Sequence, residues 1–184
     1  TVYTVSIILA AFMGGLALGS WIASRYTDKI KNLLATYAYL ELGIGLYGLL
    51  LLFLFKILPS AYQNIYSVHN SFYLFELLQF VIVFILLLIP TTFMGATFPI
   101  IAKFYTNTNN KDDVRNKIGR GIGEIYCVNN VGAIVGSFTA GFVLVPFLGI
   151  KWSIIVAAGI NMAIAFFILN LVHELYAKRI MFIS

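Results

Sequence analysis

Glu41 is the residue of this chain best placed to do chemistry, because it is a carboxylate set inside an otherwise apolar run, 34–58. Counted from Leu34 it stands roughly 10 Å into a bilayer. An ionised group there is costly unless it is paired or solvated. Tyr37 lies one turn before it and Gly45 one turn after, on the same helix face. Asn129 and Asn130 stand about 12 Å into the run 122–148 from the same end, and Asn161 about 13 Å into the run 152–172 from the opposite end. One layer of a helix bundle could therefore gather Glu41, Asn129, Asn130 and Asn161. Such a layer serves either as a polar clamp between helices or as a site for a cation or proton. With Tyr37, these residues form the candidate substrate-binding set.

Other reactive types are sparse. Glu124 follows Arg120 by one turn, which an interfacial ion pair explains, and Glu76 lies near a helix end. His69 and His173 have no second ligand at a useful spacing, so no metal site is expected. Cys127 is the lone cysteine, which excludes an intrachain disulfide. The run GRGIG (119–123) opens an apolar helix rather than following a strand, so it is not a dinucleotide loop. No Ser/His/Asp set or paired soluble carboxylates appear, and neither catalytic residues nor a cofactor are expected in this segment.

The elements that must position these residues are five apolar stretches, 6–23, 34–58, 73–102, 122–148 and 152–172. Each approaches or exceeds the length a helix needs to cross a ~30 Å hydrocarbon layer. Hydrophobic residues make up 61% and charged ones 10% of the 184 residues, against ~25% charged in soluble domains. The expected fold class is an all-α, polytopic transmembrane bundle forming one domain over 1–184, with the lipid bilayer as its first partner. The net charge of +5 is then a topology signal rather than a nucleic-acid footprint. Arg25, Lys29 and Lys31 fall in the first connection, and Lys103, Lys111, Arg115, Lys117 and Arg120 in the third. The second connection, 59–72, has no Lys or Arg, the fourth has Lys151, and the tail has Lys178 and Arg179. Cytoplasmic loops collect such cations. The expectation is a multi-pass protein of the plasma (inner) membrane with a cytoplasmic C-terminus and Thr1 outside. A preceding helix entering from the cytoplasm is also expected, making these five spans part of a six-helix unit.

Packing signals concentrate in two places. Gly15 and Gly19 form one G-x-x-x-G pair, while Gly132 and Gly136, with Ser137 beside them, put small ridges on the fourth span. Small residues allow backbones to approach closely in lipid, so the fourth span is expected at the bundle centre. In the third span Pro90 and Pro99 bracket the run PTTFMGATFP. Each proline removes a helix hydrogen bond, so a kink or break is expected, with Thr91, Thr92 and Thr97 available to the freed carbonyls.

The stretches LAAFMGGLALGSW (9–21), YAYLELGIGLYG (37–48), PTTFMGATFPI (90–100) and GEIYCVNNVGAIVGSFTAGFVLVPFLG (123–149) together resemble the membrane region of membrane-fused spermidine synthases. In that family a major-facilitator-like helix unit precedes a cytoplasmic aminopropyltransferase domain. The family's Asn-Thr-x-Gly-Ala run reads Asn129-Asn130-Val131-Gly132-Ala133 here, so its Thr hydroxyl is replaced. The resemblance implies a domain that anchors, or supplies amines to, a catalytic domain not contained in these residues. Two other readings stay open: half of a major-facilitator-like transporter for a small cationic solute, or a structural subunit docking other membrane proteins. The transporter loop signature is incomplete, because Ala23 stands where an acidic residue is expected.

Overall fold

The computed structural model describes residues 2–68, 72–108 and 114–181. His69 and Lys111 lie outside them. The described residues are helical almost throughout, with no strand among them. Helix α1 spans Val2–Tyr26 and ends in a 3-10 turn, Thr27–Lys29. Helix α2 spans Leu33–Val68 and α3 spans Phe72–Thr108. Helix α4 spans Val114–Thr139, a π-helical turn occupies Ala140–Leu144, and α5 runs over Val145–Met181. The Asn32 side chain accepts from the Ala35 N–H at 3.1 Å and so caps the start of α2. The connection expected at 59–72 is much shorter, since α2 continues through Pro59.

Among the described residues, four helical runs are long and apolar enough to cross a membrane. The expectation of five separate spans is corrected on this point. The fourth and fifth stretches form one helical run, Gly119–Leu175, of 57 residues. That run bends where the backbone is least helical. Pro146 has no N–H to offer, and the π turn lies immediately before it, with the Val145 N–H reaching back to the Ala140 carbonyl. Three residues beyond Pro146, Gly149 takes φ 77° and ψ 166°, a conformation that excludes ordinary side chains. Asn129 and Asn161 lie on the two sides of this break and line one cavity, although a straight helix would hold them ~48 Å apart. The chain therefore folds back between them.

Small residues decide which helices touch. A side chain at Gly15 would strike the Thr91 hydroxyl, one at Gly19 the Thr92 carbonyl, and one at Gly95 the Leu16 backbone, so α1 and α3 lie almost backbone to backbone. Helix α2 meets α5 through Gly45, whose added Cβ would stand 3.0 Å from the Ala158 carbonyl oxygen. It meets α3 at Gly43, against the Phe93 ring. The buried apolar residues are mostly small: Ala11, Ala23, Ala38, Ala158 and Ala165, with Ile44 and Ile100.

Helix α4 is not the central helix that its small residues suggested. Gly132 and Gly136 face open space, and Ser137 is exposed with its hydroxyl donating to the Ile134 carbonyl of its own helix. The helix packs on α3 near its beginning, where Gly121 sits under the Tyr105 ring. A small-residue ridge permits close approach but names no neighbour, and here the neighbour of α3 is the ridge on α1.

Of the kink or break expected in the proline helix, the break is absent. Helix α3 does not break: it continues through both Pro90 and Pro99. The carbonyls these prolines leave without an N–H are those of Leu86 and Gly95, four residues earlier. The threonines do not serve them. Thr91 and Thr92 donate to Leu87 and Leu88 carbonyls, and Thr97 to the Met94 carbonyl. Instead Tyr47 of α2 donates to the Leu86 carbonyl at 3.0 Å, and Ser20 of α1 donates to the Gly95 carbonyl at 2.9 Å.

Two polar contacts gather the lysine-rich connections at one end of the bundle. Lys103 of α3 pairs with Asp28 in the turn after α1. Tyr105 of α3 donates to Glu124 of α4 at 3.0 Å, and Glu124 also pairs with Arg120 at 3.1 Å.

Candidate functional site

Because α4 stands off the layer formed by α1, α3, α2 and α5, a cleft of about 570 Å³ opens between them. Its volume falls within the ~300–1,000 Å³ common for small-molecule sites. Glu41 of α2 lines it, together with Asn129 and Asn130 of α4 and Asn161 of α5. These four residues arrive on three helices, α2, α4 and α5. Glu41 is brought in because α2 packs on α5 through Gly45, one turn away, which also lays Asn161 beside it. Asn129 and Asn130 arrive because the fold-back at Gly149 returns the chain toward α4.

Tyr37 takes a different place. It lies one turn before Glu41 on α2, but it lines a second pocket of about 450 Å³ toward the lysine-rich end. That pocket also contains Tyr105 and Glu124, and it shares Thr97, Phe98 and Asn129 with the cleft. Phe98 stands edge-on to Tyr126 of α4, with ring centroids 6.2 Å apart and planes at 85°. This aromatic pair sits where the two spaces adjoin.

Glu41 is half-buried, and among the described residues no Lys or Arg forms an ion pair with it. The cleft thus presents one carboxylate, three carboxamides and an aromatic edge inside an apolar shell that includes Phe12, Leu16, Ile44 and Met94. Such a set can hold a positively charged group: the carboxylate supplies the charge and the carboxamide oxygens can accept N–H or O–H donors. Among the described residues no group of three or more His, Cys, Asp or Glu is placed to hold a metal ion. Cys127 is exposed on α4.

Sequence reasoning missed Ser20, Tyr47, Phe98 and Tyr126. Counting back four from each proline would have named the carbonyls of Leu86 and Gly95. The hydroxyls that reach them come from other helices, and no spacing in the sequence names those. The aromatic pair carried no polar signal at all. Comparison with known protein families, curated proteins and solved structures finds no match to this chain.

Proposed function

We propose that this chain is an integral-membrane unit that binds a small organic cation in the cleft around Glu41. One observation carries the reading: an intramembrane carboxylate opens on a cleft that holds three Asn side chains, and no cation among the described residues pairs with it. A carboxylate that only clamped two helices would be expected to find its partner within the protein, because leaving it unpaired in hydrocarbon is costly. In this reading both legs of the run 119–175 cross the bilayer, with the lysine-rich end cytoplasmic.

The resemblance of four sequence stretches to membrane-fused spermidine synthases extends the proposal. The unit would sit before a cytoplasmic aminopropyltransferase domain and either anchor it at the membrane or supply amines to it. A half-transporter for a small cationic solute is the alternative that the same cleft supports.

The test uses butylammonium as the probe, with the chain held in lipid nanodiscs. Binding should be present in the wild type and at least tenfold weaker in Glu41→Gln, with the thermal midpoint of the unliganded protein retained. Equal binding by the two proteins would end the cation reading. The coding sequence beyond Ser184 decides between the two settings: an aminopropyltransferase domain supports the first, a second helical unit of the same kind the second.

A further inference from the structure

We propose that the cleft selects a singly charged primary amine with an apolar body, and discriminates against both dications and neutral isosteres. The inference rests on the reading of Glu41 as a cation site and adds which cation it takes. Glu41 is the one carboxylate among the described residues that line the cleft. The next acid along the path, Glu124, lies in the adjoining pocket, where its two oxygens are engaged by Tyr105 and Arg120. A second ammonium in the cleft would therefore be buried without a counter-charge, which is the costly arrangement in a low-dielectric site.

The neutral donors and acceptors fit a single ammonium. A primary ammonium carries three N–H groups, and the cleft is lined by Glu41 and by Asn129, Asn130 and Asn161, whose carboxamides each have an oxygen able to accept one. The hydroxyl protons of Ser20 and Thr97 are committed to the Gly95 and Met94 carbonyls, so these groups do not compete as donors for Glu41. The remaining wall is apolar: Phe12, Leu16, Ile44 and Met94 offer an alkyl or aryl body a surface removed from water. The cleft is also open along α4, whose residues 126–138 are exposed. An amine with an apolar body can reach such an opening from the bilayer, whereas a compact dication would have to leave water completely.

The experiment compares hexylammonium, 1,6-diaminohexane and 1-hexanol on the full chain in nanodiscs, and each is measured again on Glu41→Gln to subtract partition into lipid. Hexylammonium should bind in a Glu41-dependent way, the diamine at least tenfold more weakly, and the alcohol with no difference between the two proteins. Diamine binding equal to or tighter than that of hexylammonium overturns the selectivity and leaves the cation site standing. If no ligand distinguishes wild type from Glu41→Gln, the cation site falls with it. Asn161→Asp supplies an independent check, because a second carboxylate in the same cleft should raise diamine affinity relative to the monoamine by at least tenfold. An unchanged ratio there also counts against the proposal.

Discussion

The Ser20 hydroxyl of α1 donates, at 2.9 Å, to the carbonyl of Gly95, the one oxygen that Pro99 leaves without its helical partner. Tyr47 of α2 does the same for Leu86 and Pro90. Two helices thus complete the hydrogen bonding of a third, and each proline fixes the register of a neighbour rather than breaking its own helix. This accounts for the continuity of α3 through both prolines. A freed carbonyl in hydrocarbon must be satisfied somewhere, and hydroxyls from α1 and α2 do so without unwinding any backbone. Gly95 also lines the cleft, so the cap on α1 helps to shape the wall facing Glu41.

Removing a cap should therefore matter only while its proline is present. Ser20→Ala is expected to destabilise the protein by ~0.5–1.5 kcal/mol, the range for interhelical hydrogen bonds in membranes. In a Pro99→Ala background the same change should cost much less, because the substituted alanine restores the N–H that serves the Gly95 carbonyl. Tyr47→Phe with and without Pro90→Ala forms the parallel cycle. Equilibrium unfolding in mixed micelles measures all of these, and additive effects in both cycles would refute the capping role.

The two glycine pairs should respond oppositely to added bulk. Gly19→Ala places a Cβ against the Thr92 carbonyl and must push α1 off α3, which is expected to cost about 2 kcal/mol or more. Gly136→Ala meets nothing within 4 Å and replaces a poor helix former, so its effect should be slight or favourable. Thermal unfolding of the two variants side by side reads the difference, and a larger loss for Gly136→Ala would show that α4 packs more closely than this structure places it.

How much was legible follows from what each signal specifies. Apolar length and the absence of charge marked the helices, because backbone satisfaction in lipid leaves few alternatives. Depth counting put Glu41 with Asn129, Asn130 and Asn161, and these four line one cleft. Helix rise is regular, so position along an axis can be read from a sequence. Lateral arrangement cannot be read so directly. Gly15 and Gly132 belong to the same kind of small-residue pattern, yet one is pressed against Thr91 and the other faces open space. Likewise the prolines of α3 looked like the break. The backbone instead departs from helix at Gly149, beyond Pro146, where no neighbouring hydroxyl caps the proline's lost bond among the hydrogen bonds described.

Gly149 should accordingly resist any side chain. Its φ of 77° with ψ 166° lies outside what an L-residue adopts comfortably. Gly149→Ala has open space around it, so strain rather than collision sets the cost, expected at about 1–3 kcal/mol. Unfolding measurements on Gly149→Ala and on Gly159→Ala, a glycine with equal space but ordinary helical backbone, separate strain from packing. Equal losses would argue against the fold-back at this residue.

The fold-back itself can be tested by chemistry. A straight helix would hold residues 129 and 161 ~48 Å apart, whereas here both line one cleft. In a Cys127→Ser background, which removes the single native thiol, Asn129→Cys with Asn161→Cys should be joined by a short bis-maleimide. The control pair, Val143→Cys with Leu175→Cys, flanks the break but lies far apart on the two legs, ~30 Å along the axis when the chain folds back at Gly149, so it should remain unlinked. A protease site introduced near Lys151 converts the outcome into a gel shift: the cross-linked protein stays as one band after cleavage, and the control separates into two. Loss of linkage in the first pair, with both cysteines shown to be reactive toward a monofunctional maleimide, would mean that α5 does not return to the cleft. Glu41 would then face Asn129 and Asn130 without Asn161, and the cation site would lose one of its three carboxamides.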